Sequence, residues 1–283
     1  MDKTAAQPPI SVLIRTFNSG KTLPQVLAAL PLLPRDELLI VDSGSTDDTL
    51  SVAGRHGAHV IRPDGPFNYS KSLNAGFAAA RNDWVLVLSS HNIPGSSDML
   101  GRLRSAAAGA DDIVVVIYGQ HVLWKPAGAD AAPEYINKTS WEKTGRLPSA
   151  GNTLGLYRRV CWQEHRFDES LATAEDLEWF IWAIGRGYCA LLLPQAWALY
   201  RNQGSLRHMF RKGWSESIQA RKLIHTLPPP SNQAVELRNL LICSASLSKK
   251  LLLGRIPPGT WSREVARALG GYVAGVGFRK AFK

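Results

Sequence analysis

The stretch Trp84–Pro94, WVLVLSSHNIP, constrains the fold of this chain more than any other. An unbroken apolar run from Trp84 to Leu88 passes straight into Ser89, Ser90, His91 and Asn92. A strand with one wet face alternates apolar and polar residues. An unbroken run closed by turn residues is a strand buried on both faces, as in a parallel sheet covered by helices. Ligands of open α/β sheets bind beyond the carboxyl ends of the strands, so the polar end at Ser89–Asn92 marks a ligand-facing edge.

The rest of the chain supplies partners for that strand. Ile10–Arg15 (ISVLIR), Glu37–Val41 (ELLIV) and the short His59–Arg62 are further apolar, β-branched runs. Helices are predicted between them. The first runs from Thr22, as cap, to about Leu33, with Pro34 as its stop. The second runs from Asp47 and Asp48, acids at a positive helix end, to about His56. The third covers Lys71 to Arg81. This alternation predicts a doubly wound, mostly parallel sheet. Right-handed crossovers then bring Thr16–Asn18, Asp42–Ser45 and Ser89–Asn92 to one edge. Further on, helices are predicted over 97–109 and 174–186, with Gly187 just past the second, and strands over 112–118 and 188–193. Residues 119–148 show no period and read as a long loop or lid. Residues 149–159 read as a turn and a short strand or helix. A basic helix over 205–225 stops at three prolines, and a basic helical tail follows from Ser231.

Several polar residues fall where chemistry is expected. Asp42 ends a buried strand, where its carboxylate can accept from a ligand or simply cap a tight turn. Glu175 and Asp176 open a helix, where acids complement the dipole or act as a general base. The aromatic Trp179 after them suits a sugar face or a core. Arg211, Lys212 and Trp214 read as a phosphate-binding group or as a solvated basic face. His91 reads as a hydrogen-bonded structural imidazole or as a ligand. The net charge of +10 suits an anionic partner. No helix-turn-helix, zinc-finger or RNA-recognition signature is present, so no nucleic-acid partner is expected. Three cysteines without metal-ligand or CxxC spacing indicate a reducing compartment. The first ten residues lack a signal-peptide core, and no apolar run is long enough to span a membrane.

Taken in order, ISVLIRTFN, LLIVDSGSTDDT, FNYSKSLNAGFAAARNDWVLVLSSHNIP, SAGNTLGLYRRVCW and FDESLATAEDLEW resemble the family-two inverting glycosyltransferases of GT-A fold, in their rhamnosyltransferase-like branch. The resemblance covers residues 10–225. It implies a GT-A domain over 1–225, with a nucleotide-binding half to 118 and an acceptor half from 119, and a helical extension over 226–283. Thr16, Phe17 and Asn18 would face the nucleotide. Asp42, with Ser43 beside it, would bind the base, and Asn74 would lie beside the nucleotide and its sugar. Ser90, His91 and Asn92 take the position of the acidic DxD element, and Arg211, Lys212 and Trp214 loosely resemble the Arg-Trp element of processive members. Asn152 would lie near the acceptor, with Trp179 and Trp214 the aromatic candidates for contacting it. Asp176 would be the catalytic base, with Glu175 beside it.

The implied reaction moves a hexosyl or deoxyhexosyl group from a nucleotide sugar to a saccharide or lipid-linked glycan, in bacterial cell-surface polysaccharide synthesis. One departure matters. His91 stands where the family has an aspartate for Mg²⁺ or Mn²⁺. Three outcomes follow: His91 ligates the metal; it bonds the phosphates directly with basic side chains; or the protein is a non-catalytic nucleotide- or sugar-binding scaffold. Retained catalysis is the reading taken, because Asp42 and the Glu175–Asp176 pair are intact. A cytoplasmic enzyme is expected. Its basic tail would either dock at the inner face of the membrane or pack on the catalytic domain.

Overall fold

The computed structural model describes residues 7–122, 131–144 and 151–201, with isolated helical positions between 207 and 223. Among the described residues, nine strands form one sheet: β1 (Ile10–Thr16), β2 (Glu37–Asp42), β3 (His59–Ile61), β4 (Trp84–Ser89), β5 (Asn92–Pro94), β6 (Val114–Val122), β7 (Glu134–Ile136), β8 (Leu154–Arg158) and β9 (Cys189–Tyr200). Their order is β3-β2-β1-β4-β8-β6-β9-β5, with β7 also on β9. β1 to β4 are parallel. β8 enters antiparallel between β4 and β6, and β9 runs parallel to β6. Only β5, β7 and β8 run against the common direction. Every residue of β4 is buried, as its composition demands.

The helices are α1 (Leu23–Ala28), α2 (Thr49–Arg55), α3 (Tyr69–Ala79), α4 (Met99–Ala108), α5 (Lys138–Thr144), α6 (Arg159–Glu164) and α7 (Glu175–Gly185). α1 ends well before Leu33. Pro31 cannot donate to a helical bond, and its ring would strike the carbonyl four residues back. α3 starts two residues early because Asn68 caps it, accepting from Lys71 N–H at 2.9 Å. It lies close against β1: a Cβ on Gly76 would fall 2.3 Å from Leu13 Cδ1. α7 ends in a Schellman motif, with Tyr188 N–H on the Ala183 carbonyl, Gly187 N–H on that of Ile184, and Gly187 at φ +86°.

Two expectations about the C-terminal half are corrected. The stretch 119–148 is not one long loop. β6 continues to Val122, β7 pairs with Ala190–Leu192, and Asn137 opens α5 by accepting from Ser140 N–H at 3.0 Å. β9 runs to Tyr200, past the predicted end at Leu193. Its continuation is stitched to β5 and to the end of β6 by pairing that local sequence does not encode, with Pro194 lying in the gap in that pairing.

The amino ends of the strands are fastened by a buried ion pair. Arg104, on α4, donates to both Asp36 oxygens, at 3.0 and 2.6 Å, and to the Pro8 carbonyl at 2.5 Å. Asp36 also accepts from Ile10 and Leu33 N–H. Burial tends to raise its pKa, but Arg104 and those N–H groups outweigh it and hold the carboxyl below its usual range.

Contacts divide the chain into one unit of Met1–Trp141 with Arg146–Arg201 and a second of Glu142–Gly145 with Asn202–Lys283. No helix among the described residues is long and apolar enough to cross a membrane. The predicted tail over 226–283 lies outside the described residues.

Removing one partner of a buried, hydrogen-bonded ion pair leaves a charge with no compensation. Arg104→Ala is therefore expected to cost on the order of 3–5 kcal/mol in urea unfolding at neutral pH. The deficit should shrink on acidification, because a carboxylate with a depressed pKa stabilises the fold only while it is ionised.

Candidate active site

The three loops expected to converge do so. Thr16 and Asp42 are register partners at the ends of β1 and β2. The buried Asp42 carboxylate accepts from Thr16 Oγ1 at 2.9 Å, Ser45 Oγ at 2.5 Å, Gly44 N at 3.0 Å and Ser45 N at 2.9 Å. Gly44 supplies the φ of +89° that this turn requires. Burial tends to raise the Asp42 pKa; the Ser45, Thr16 and Gly44 hydrogen bonds outweigh it and set the carboxyl below its usual range. Ser43 N–H donates to the Thr16 carbonyl at 3.0 Å. Asn18, at φ +48°, accepts from Thr46 N–H and donates its own N–H to Ser45 Oγ. The loop after β4 joins through Ser90 Oγ, 2.8 Å from Ser19 Oγ. On this edge Phe17 is 62% exposed.

The acid pair lies across the same edge. Ala174, before α7, holds the left-handed conformation at φ +65°, unusual for a residue with a Cβ. Glu175 is buried and Asp176 half-buried. A single turn, Gly151–Thr153, holds both. Asn152 Nδ2 donates to Glu175 Oε1 at 2.9 Å, and Asn152 N–H reaches Asp176 Oδ2 at 3.4 Å. Tyr157 OH donates to Asn152 Oδ1 at 3.1 Å, and Arg15 Nη2 to the Asn152 carbonyl at 3.3 Å. Arg15 Nη1 stands 3.7 Å from Glu175 Oε1, buried and with no hydrogen-bond partner, and the guanidinium lies over the Tyr69 ring. Burial and the neighbouring Glu175 carboxylate push Asp176 up to about 6, outweighing the Asn152 and Leu177 N–H groups and the Arg15 charge. A half-buried carboxylate poised near neutral pH is suited to accept a proton.

Other predicted residues fall elsewhere. All four hydrogen-bonding positions of the Asn74 amide are used within the protein. It donates to the Phe167 carbonyl and Glu169 Oε1, and accepts from Trp162 Nε1 and Phe167 N–H. Asn74 thus ties α3 to the chain leading into α7 and has no valence left for a nucleotide. Trp179 is fully buried, with its indole N–H on the His165 carbonyl, so it is a core residue and offers no face to an acceptor. Arg211, Lys212 and Trp214 lie outside the described residues.

The position implied for a divalent cation offers the His91 imidazole and the buried Asn92 Oδ1, which has no hydrogen-bond partner. Among the described residues, no group of three or more His, Cys, Asp or Glu is placed to hold a metal. Mg²⁺ takes a shell of oxygens, usually including carboxylates, so this donor set does not fit it. His91, the residue expected to meet a metal, is a half-buried imidazole packed edge-on against Tyr200, with ring centroids 5.1 Å apart.

Sequence reasoning missed Arg15, Tyr157 and His121. Arg15 left a signal, a lone cation near the end of an apolar strand. Tyr157 and His121 left none, because only the pairing of β6, β8 and β9 brings them here.

Residues 11–146 match the family model described as Glycosyl transferase family 2. That stretch is similar to the glycosyltransferase family 2 domain. An uncharacterized glycosyltransferase of Mycobacterium tuberculosis is 36% identical over 102 residues, 36% of this chain and 45% of the relative. The chain thus spans about half the length of that relative. The O-antigen chain rhamnosyltransferase RfbN of Salmonella typhimurium is 24% identical over 74% of this chain and 71% of its own. Among solved structures, the mannosyltransferase PcManGT of Pyrobaculum calidifontis, in complex with GDP-Man and Mn²⁺, shares the fold. Its TM-score is 0.67 at 17% identity, over 96% of this chain and 88% of that one. The acid pair, the Asp42 turn and His91 thus lie along one edge of a GT-A-type sheet.

The raised pKa of Asp176 makes a stability prediction. An aspartate titrates near 3.9 when unfolded, so between about pH 4 and pH 6 the native state binds more protons and stability falls as pH rises. Asp176→Asn should then be more stable than the parent by about 1–3 kcal/mol at pH 7.5, with the gap closing at pH 4. Urea titrations at the two pH values measure this.

Proposed function

We propose that this domain is an inverting glycosyltransferase. It moves a hexosyl or deoxyhexosyl group from a nucleotide sugar to a hydroxyl of a saccharide or lipid-linked glycan. The observation that carries the reading is Asp176: a half-buried carboxylate raised towards neutrality, fixed by Asn152 at the carboxyl edge of the sheet. In the reaction, the acceptor oxygen bonds to the anomeric carbon as the bond from that carbon to the β-phosphate oxygen breaks. The acceptor proton passes to Asp176, and the bonding pair leaves with the nucleoside diphosphate. Attack opposite the leaving group inverts the anomeric configuration.

The other residues take supporting roles. Phe17 offers an exposed aromatic face to the base. Asp42 receives a base N–H or a ribose hydroxyl by exchanging it for the Ser45 hydroxyl, since all four of its acceptor positions are filled within the protein. Arg15 offsets the charge of the acid pair, keeping Asp176 available as a base at neutral pH. The O-antigen chain rhamnosyltransferase similar over 74% of this chain supports an acceptor in cell-surface polysaccharide synthesis. A non-catalytic nucleotide- or sugar-binding scaffold is the second reading, favoured by the imidazole where the resemblance places an acid.

Assays of transfer with a panel of UDP-, GDP- and dTDP-sugars separate the two. Absence of transfer and of donor hydrolysis across the panel, with nucleotide binding retained, would establish the scaffold. For the enzyme, kcat should fall below about pH 6 as Asp176 takes up a proton. Asp176→Asn should lower kcat about 10²–10⁴-fold while leaving donor affinity near that of the parent. Arg15→Gln removes a positive charge that favours the carboxylate, so it should move the acid limb of the pH profile upward.

A further inference from the structure

A second imidazole stands at the edge that carries His91. The rings of His91 and His121 both meet Tyr200 edge-on, at centroid separations of 5.1 and 5.8 Å. The strands set this arrangement. Asn92 is the register partner of Tyr200, and His121 that of Ala198, so three strand ends meet on one tyrosine ring. His121 Nδ1 lies 3.2 Å from Thr153 Oγ1. The Thr153 carbonyl accepts from Asn92 Nδ2 at 2.9 Å. The preceding residue, Asn152, carries the acid pair. The turn Gly151–Thr153 thus touches the proposed base on one side and the imidazole pair on the other.

We propose that His121 is a second ligand for the donor diphosphate, gripping it together with His91. The inference rests on the glycosyl-transfer reading. Imidazole N–H groups donate directly to phosphate oxygens, and charge-assisted bonds of this kind are among the strongest a protein makes. Nδ1 lies beside Thr153 Oγ1, and the phosphate contact is assigned to Nε2. Tyr200 packs edge-on against both rings. Both imidazoles then act where negative charge collects as the sugar leaves, on the β-phosphate oxygen. Thr153 is a positioning residue: it fixes the His121 ring without touching the ligand.

The test is calorimetric titration of the full chain with inorganic pyrophosphate in EDTA, and again with Mn²⁺. Pyrophosphate should bind in EDTA. His121→Ala and His91→Ala should each weaken it about 10–100-fold, and Thr153→Val only a few-fold. The His121 ring resonances should shift as pyrophosphate is added, a response that a purely structural histidine would not give. Should His121→Ala fail to fold, His121→Gln and the ring resonances of the parent chain decide the matter. Affinity within two-fold of the parent in the His121 variant, or binding only with Mn²⁺, overturns the proposal. Transfer that proceeds at the parent rate in His121→Ala also overturns it while leaving the glycosyltransferase reading standing. His121-dependent pyrophosphate binding in a chain that transfers no sugar upholds it and removes the enzymatic reading instead.

Discussion

The buried Asp36–Arg104 pair is the fixed point of this molecule. It joins the start of β1, the loop before β2 and helix α4 at the amino ends of the strands. Both charges are removed from water, and each is hydrogen-bonded on several sides. Such an arrangement holds only in one geometry, because a small displacement exposes an uncompensated charge. Opposite features gather at the carboxyl ends. There Arg15 Nη1 and Asn92 Oδ1 lack hydrogen-bond partners, Ala174 and Asn18 hold left-handed backbone, and Asp176 has its proton affinity raised. Strain and incomplete pairing of this kind persist only where surrounding structure over-determines them, and they collect at functional sites. The ion pair thus closes the amino end of the sheet, and the strained and incompletely paired groups of the candidate site lie at the other, with the β4 core between them.

Much of this polarity was legible from residue order. Apolar runs in β1, β2 and β4 announced strands buried on both faces, and short polar turns placed Asp42 and Ser90 on one edge. The acid pair was legible because it opens an amphipathic helix that Gly187 closes just past its end. The remainder depends on long-range pairing. β7 has three residues and no alternation of its own, and its register is set by β9. β8 brings Tyr157 beneath Asn152 only because it enters the sheet between β4 and β6. His121 reaches Tyr200 only because β9 continues beyond Pro194. No periodicity within those segments encodes these contacts.

Individual residue types misled in instructive ways. Asn74 has the polarity of a ligand contact, yet its amide is a four-way structural tie. Trp179 follows two acids, as a sugar-stacking residue would, yet helical geometry turns it into the core. Asp42 is intermediate. Its carboxylate is saturated by its own turn, so it is both the organiser of the loop and a group that a ligand reaches only by exchange. The distinction between fold and function at such positions lies in spare hydrogen-bonding valence, which residue identity alone does not reveal.

The turn Gly151–Thr153 has a consequence for how such a domain diversifies. Asn152 and Thr153 are adjacent in the chain, one bonded to the acid pair and the other to His121 and Asn92. The two groups are therefore joined through a single peptide link as well as through the pairing of β6, β8 and β9. Insertions and deletions in the surrounding loops can reshape what enters the cleft while that link stays constant. New specificities can thus arise in this scaffold without recalibrating the chemistry each time.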